Sequence, residues 1–405
     1  MMPENSMIAD LHIHSRFSRA CSSAINFENL VKWARIKGLD LLGTGDFTHP
    51  IWFEEIKKLR DSRNGFYYYE DFPFVISGEI SLIYTQSRGR RIHLVLLVPS
   101  IEIAEKINSY FDTKGRRDYD GRPIFKISGD EFVREMMKIS TEIEIIPAHA
   151  WTPWFGIFGS MSGFDSLKEC FKEQVENIHA IETGMSSNPE MNWRIKELEN
   201  KSIVSFSDAH SFWPFRLGRE ATIFRRCDSY SELIKQIREN NFFGTIETDP
   251  AYGKYHWDGH RVCNFSCSPK KSKELGDICP VCKNNLVIGV ENRVEILASE
   301  KSEHKIKKTF YTLLPLHELI SLDLEVGMQS KKVWEVYNNL ISLFKNEFNI
   351  LLNVPREKFV EAEIDAKLIG LILKNRSGKM NVKPGYDGVY GVAQIGSGEG
   401  QKRLF

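Results

Sequence analysis

Two histidines two residues apart, in Asp10-Leu11-His12-Ile13-His14, close an apolar run that begins at Met7. The period of two along a strand puts both imidazoles on one face, where they can ligate one metal ion. Further imidazoles and carboxylates stand at the ends of other apolar runs: Asp46 after Leu41-Leu42-Gly43-Thr44, Glu79 after Val75-Ile76-Ser77, His149 after Ile145-Ile146-Pro147, and Asp208 with His210 after Val204-Ser205-Phe206. His93 instead opens its run. C-terminal strand ends of a parallel barrel converge on one rim, so most of these groups meet in one cleft. Such a mixed set suits Zn²⁺, Mn²⁺ or Fe, and a carboxylate such as Glu79 can bridge two ions. Paired metals hydrolyse phosphodiesters without a Ser or Cys nucleophile, because they activate water and stabilise both the attacking and the leaving oxygen.

A second cluster is made of thiols. Cys263, Cys267, Cys279 and Cys282 follow C-x3-C-x11-C-x2-C, while Cys21, Cys170 and Cys227 are scattered. In a cytosolic chain, four such cysteines predict a closed, structural zinc site rather than disulfides. Lys270, Lys271, Lys273 and Lys283 around it either touch phosphates or keep the segment soluble. Arg16, Arg19, Arg216 and Arg219 flank the His and Asp motifs and can hold phosphate oxygens, although a solvated surface charge explains each equally well. After His149 runs an aromatic and glycine-rich stretch containing Trp151 and Trp154, whose rings either stack on an extruded base or form an apolar lid.

The elements that must position these groups are legible as alternating short apolar runs and helical patterns over the first 250 or so residues, which predicts an α/β fold. Strands are expected at Met7 to Ile13, Leu39 to Thr44, Phe74 to Ser77, Ile92 to Val98, Glu144 to Ala148, Ile178 to Ile181, Ile203 to Phe206 and Ala221 to Phe224. Asn26 caps one helix, and Ser128-Gly129-Asp130-Glu131 reads as a capping box for another. We expect a catalytic barrel over 1–250, a four-cysteine zinc segment over 251–292, a helical region over 293–373 and a loop-rich tail over 374–405. In the helical region, Val333, Tyr337, Leu340, Phe344 and Phe348 follow helical spacing, and Phe359 to Leu373 reads as another helix.

Composition narrows the class. Lys and Arg number 54, equal to Asp and Glu, which excludes a uniformly basic nucleic-acid coat. The balance hides a split: residues 254–405 carry 23 basic against 18 acidic side chains, leaving 31 against 36 in residues 1–253. No apolar run is long enough for a membrane span, and the N-terminus lacks the pattern of a signal peptide, so a cytoplasmic protein is expected.

The motifs Asp10-Leu11-His12-Ile13-His14-Ser15, Gly43-Thr44-Gly45-Asp46, Ser77-Gly78-Glu79, Pro147-Ala148-His149 and Ser207-Asp208-Ala209-His210 resemble, in order, those of the polymerase and histidinol phosphatase (PHP) superfamily. The resemblance implies a distorted (β/α)7 barrel with two or three divalent ions (Zn²⁺, Mg²⁺ or Mn²⁺). It implies that His12, His14, Glu79 and Asp208 hold one ion, Glu79, His93 and His149 a second, and Asp46 with His210 a third, which places Asp208, Asp46 and Glu79 at the catalytic centre. The chain departs from that pattern with Gly45 in the second motif and Ala20 where many members offer a His, leaving His49 as a substitute. With the four-cysteine segment and the stretch Lys383-Pro384-Gly385-Tyr386-Asp387-Gly388-Val389-Tyr390-Gly391, nearly the whole chain resembles the endonuclease Q family. That resemblance implies a DNA repair endonuclease nicking 5′ to deaminated bases (uracil, hypoxanthine, xanthine) or abasic sites. A small-molecule phosphatase of the histidinol-phosphate kind and a non-catalytic DNA-binding accessory are the alternatives. Finally, Gln401-Lys402-Arg403-Leu404-Phe405 resembles the opening of a sliding-clamp-binding peptide, and Gly396 to Gly400 would tether it.

Overall fold

The computed structural model describes residues 3–299, 302–304 and 307–394, so the clamp-like tail lies outside the described residues. All eight apolar runs form strands: β1 (Ser6–Asp10), β2 (Leu41–Gly43), β3 (Phe72–Gln86), β4 (Arg88–Val98), β5 (Glu144–Pro147), β6 (Ala180–Glu182), β7 (Ser202–Val204) and β8 (Ala221–Arg225). They are followed by β9 (Gly244–Glu247) and β10 (Thr309–Thr312).

The fold is the expected distorted α/β arrangement, and the distortion is specific. Parallel pairing holds for β1 with β2, β2 with β3 and β6 with β7. Antiparallel pairs interrupt it, because β3 and β4 form one long hairpin, β5 adds to β4, and β8 runs against β1. Between β5 and β6 the link is a backbone bond from Ala150 N to Glu182 O (3.0 Å) with His149 N on the Glu182 carboxylate (2.7 Å), and between β7 and β8 it passes through the Thr222 hydroxyl, bonded to both Ser205 N and Ser205 O. Alternate residues of these strands, among them Ala9, Val75, Val95, Ile146, Val204 and Phe224, turn inward onto one buried apolar core.

Helices cover the outside. α1 (Phe27–Lys37) is capped by the Asn26 side chain, which accepts from Asn29 N, and ends at Gly38 with φ 96. The helix Gly129–Ile139 starts where the capping box placed it, yet the Ser128 hydroxyl makes no cap bond.

The C-terminal region enters by extending the sheet, with β10 parallel to β9. Its periodic stretch is broken at Lys345 (φ 76), so the helix Lys331–Phe344 stops and Asn346 caps a new one, Glu347–Leu352. Likewise the expected helix from Phe359 to Leu373 is two, Arg356–Glu361 and Ala366–Arg376, separated at Glu363 (φ 54). This region docks on α1 through a buried ion pair, Lys37 Nζ to Glu347 Oε1 at 2.7 Å, with Tyr337 donating to the other carboxylate oxygen. Part of the stretch read as a loop-rich tail is ordered as the pair Asn381–Lys383 and Val392–Gln394. No described helix is long and apolar enough to cross a membrane.

Candidate active site and metal centres

Past the end of β1, Ile13 bridges to Ala209 and His14 N donates to Ala209 O (2.9 Å), which brings the first and last motifs side by side. Asp10 fixes that junction by accepting from Ser207 N (3.0 Å), the Ser207 hydroxyl and Gly218 N (2.9 Å). The second motif passes close beneath. Gly45 has φ +65, and a Cβ there would lie 2.5 Å from Ile13 O, so only glycine fits.

Two ligand groups result, and both contain Glu79. The ligand atoms of His12, His14, Glu79 and Asp208 lie within 4.8 Å of one another, as do those of Glu79, His93 and His149. His14 Nε2 is 2.9 Å from Asp208 Oδ1 and 3.4 Å from Glu79 Oε2, while His93 Nδ1 and His149 Nε2 stand 2.8 and 3.0 Å from Glu79 Oε1. His12 Nε2 is buried without a hydrogen-bond partner, 3.6 Å from Asp208 and 3.8 Å from Glu79. An orphaned imidazole nitrogen aimed at the buried Glu79 and the half-buried Asp208 carboxylates, beside two imidazole nitrogens 3.1 Å apart, fits divalent cations ligated by N and O.

The outer nitrogens are oriented too. His12 Nδ1 bonds Glu182 (2.9 Å), His14 Nδ1 bonds Asp46 (2.9 Å) and His149 Nδ1 bonds the Thr152 hydroxyl (3.0 Å), which fixes each ring. Burial alone would lower the His12 pKa, but the Glu182 and Glu79 carboxylates reverse this and hold it well above the usual imidazole range. Burial would likewise raise Glu79, yet His93 and Arg122 keep it well below the ordinary carboxylate value. His93 itself is brought down to about 4 by burial. The cluster therefore keeps its carboxylates ionised out of water, a charge distribution that a cation satisfies. Asp46, His149 and Asp208 all sit at positive φ (43, 31 and 48), backbone strain concentrated where the motifs converge.

The third proposed ion is not matched by a ligand group. Asp46 spends one oxygen on His14 and the other on Ser15 N and the Ser15 and Ser18 hydroxyls, so it orients His14 rather than facing the cleft. His210 bonds the Asp208 carbonyl through Nδ1 (2.9 Å), and His49 stacks on Phe17 at 4.1 Å. Among the described residues, no group of three candidate ligands includes Asp46, His49 or His210.

The two groups border a cleft of about 550 Å³. Of the proposed phosphate-binding arginines, Arg19 and Arg219 line it. Arg16 does not, because its guanidinium is taken by Glu55 and by Ile25 O. Arg216 lies outside the lining, over the Phe215 ring. Trp154 lines the cleft and meets Tyr255 edge-on at 5.4 Å. Trp151 points inward instead, fully buried against Phe158 with its indole N–H on Asn192 (2.7 Å).

In the zinc segment, Cys263, Cys279 and Cys282 gather with His260, not with Cys267. Cys267 is paired across a short hairpin with Asp258 and packs into a small core with Leu286. The spacing explains it: His260-Arg261-Val262-Cys263 and Cys279-Pro280-Val281-Cys282 are two x2 knuckles, a repeat hidden when only cysteines are counted. Sequence reasoning also missed Glu182, another acid at a strand end, and Arg122, which donates to Glu79 Oε2 (2.9 Å) from a loop without a motif and lines the cleft.

Comparison with known proteins adds three findings. The family model of the MJ0043 C-terminal domain matches residues 315–379. Among curated proteins, the uncharacterized MJ0043 of Methanocaldococcus jannaschii is 32% identical over 250 residues, spanning 60% of this chain but only 31% of that protein. The uncharacterized YqxK of Bacillus subtilis is 24% identical over 95% of this chain and 98% of its own length. Among solved structures, the lesion-specific endonuclease PfuEndoQ from Pyrococcus furiosus superposes with a TM-score of 0.86 at 29% identity, covering 96% of this chain and 95% of that one. An endonuclease Q complexed with a 27-mer duplex bearing an abasic lesion at its active site gives 0.86 at 28% identity, over 96% and 97% of the two chains.

Proposed function

We propose that this chain, which superposes over nearly its whole length on endonuclease Q structures, is a metal-dependent DNA repair endonuclease of that family, cytoplasmic, that hydrolyses the phosphodiester bond 5′ to a deaminated base (uracil, hypoxanthine or xanthine) or an abasic site. The observation that carries this reading is the pair of ligand groups sharing Glu79 beside a cleft walled by arginines and aromatic rings. A phosphomonoester would need far less wall. Divalent cations held by His12, His14, Glu79 and Asp208 and by Glu79, His93 and His149 would neutralise the phosphate and make a water nucleophilic near neutral pH.

The protein's own groups do the rest. Arg122 and Arg219 line the cleft and grip the non-bridging phosphate oxygens, with Arg219 steadied by its bonds to Ser207 O (3.3 and 3.2 Å). His210 donates from Nδ1 to Asp208 O, which leaves Nε2 as the unprotonated ring nitrogen, available to take a proton from the attacking water. Trp154, Phe155 and Tyr255 form the face on which a nucleotide withdrawn from the duplex stacks. A structural zinc held by His260, Cys263, Cys279 and Cys282 staples the segment that supplies Tyr255. The tail from Gln401 would recruit a sliding clamp, tested by comparing clamp stimulation of the intact chain with a form ending at Gly400.

The test is a panel of labelled duplexes carrying one deoxyuridine, deoxyinosine, deoxyxanthosine or abasic site, with Mg²⁺ or Mn²⁺, beside histidinol phosphate. Nicking of the lesion duplexes is expected. Phosphate release from the monoester without nicking would overturn the reading.

A further inference from the structure

The two most exposed large apolar side chains among the described residues stand at matching places in the zinc segment, Val262 at 86% and Val281 at 65%. Each immediately precedes the second ligand of its x2 knuckle, so both tips spring from one ligand group. Two apolar side chains left in water on one small module mark a surface that is covered in use.

What surrounds them is cationic. Arg261 and Lys283 flank the tips, and Lys270 and Lys273 lie on the helix Pro269–Glu274, all four exposed. Lys271 is met by Glu274, while of the two acids nearest the tips in the chain, Asp258 is buried and occupied by Gly289 N (2.6 Å) and Asn292, and Asp277 accepts from the Ser272 hydroxyl (2.7 Å). An apolar point flanked by exposed cations fits a polyanion with an apolar interior, which is a nucleic-acid duplex, better than it fits another protein face.

This surface is continuous with the cleft through the segment 383–391. Gly391 N donates to Tyr252 O and Gly388 N to Lys254 O, while Asp387 accepts from Arg261 N at 2.6 Å. Lys254 and the half-exposed Tyr390 both line the cleft, with the ammonium 4.6 Å from the ring centroid. Cations thus lead outward from the cleft, Lys254 first, then Arg261 and Lys283 beside the valines.

We infer that the zinc knuckle is an apolar wedge for double-stranded DNA: Val262 and Val281 enter the minor groove beside the lesion, and Arg261 and Lys283 hold the flanking phosphates. This rests on the reading of the cleft as a lesion site. A nucleotide withdrawn into the cleft leaves a gap in the base stack, and apolar side chains inserted into the groove prop the unstacked step, as minor-groove wedges do.

The test uses the full chain and a duplex with one abasic site beside a 2-aminopurine, whose fluorescence rises on unstacking. Wild-type protein should raise it, and V262S/V281S should lose most of that rise and roughly tenfold in duplex affinity, with the zinc content unchanged. R261Q/K283Q should lower the slope of log affinity against log salt by about two. An equal fluorescence rise and equal affinity for V262S/V281S would overturn the wedge, as would a change of oligomeric state in that variant, which would assign the tips to a second copy of the chain. Wild-type protein that neither binds nor nicks any lesion duplex would instead overturn the reading of the cleft.

Discussion

The molecule gathers metal ligands twice, in opposite ways. The cleft cluster draws on residues such as His14 and Asp208, 194 positions apart, and sits against a large buried core with carboxylates orienting its rings. The knuckle takes its four ligands from a stretch whose ends, His260 and Cys282, are 22 positions apart, and the core beside it contains three buried side chains, Cys267, Cys279 and Leu286. In the first case the fold makes the site. In the second a bound metal would make the fold, because so little apolar area cannot offset the entropy of ordering the loops.

The largest effect that would break this contrast belongs to the knuckle. Replacing both Cys279 and Cys282 by Ser should remove the proposed structural zinc, whose binding would be worth on the order of 10 kcal/mol to such a module. The segment from Tyr255 to Leu286 should become protease-sensitive while the α/β part still melts cooperatively. Unchanged zinc content and unchanged proteolysis would erase the distinction. Next, Asp208→Asn should cut nicking by roughly a thousandfold with little change in melting temperature, since it alters a ligand and not the packing. A protein that instead unfolds would make the cleft cluster, too, a structural staple.

A milder change sharpens the account of ring orientation. Glu182→Gln keeps the shape beside His12 but removes the charge, and should weaken activity or metal affinity by roughly 10- to 100-fold. His260→Ala against Cys267→Ser then separates ligand from neighbour. Metal analysis should find zinc lost in the first and retained in the second.

The smallest expected effect lies deeper in the α/β fold. Glu247 and Glu220 are fully buried and bridged by the Ser205 hydroxyl, and Glu247 Oε1 has no partner. Burial, with Glu220 nearby, holds the Glu247 pKa well above the ordinary glutamate value. The folded state therefore binds a proton that the unfolded chain releases, and stability falls as pH rises above the ordinary glutamate range. Glu247→Gln mimics the neutral acid and should flatten that fall by a few degrees in melting temperature. A steeper fall in the variant would mean that the carboxylate is ionised in the fold.

Much of this was legible in the chain. Strands showed because buried strands read as apolar runs, and the candidate ligand groups showed because clustered His and acidic groups beside apolar runs are rare without a task, although Glu79 and His93 lie inside the β3–β4 hairpin rather than at strand ends. The antiparallel interruptions did not show, since an apolar run carries no direction. Trp151 and Trp154 look equivalent in sequence, yet one is buried and the other lines the cleft, a difference set by how the loop folds on Phe158. Asp46 reads as a ligand because its motif position is shared with ligands, whereas the serines that occupy it, Ser15 and Ser18, come from another loop. Counting cysteines hid His260, because only the repeated x2 spacing marks it.

The most direct measurement of the central claim is to map the nick. A duplex labelled at the 5′ end of the strand carrying one deoxyuridine, incubated with wild-type protein and Mn²⁺, should give one product ending at the bond 5′ to that nucleotide. The undamaged duplex should stay intact, and chelation or Asp208→Asn should abolish the product. Cleavage of both duplexes alike, or a product that persists in Asp208→Asn, would contradict lesion-directed hydrolysis at the Glu79-centred site.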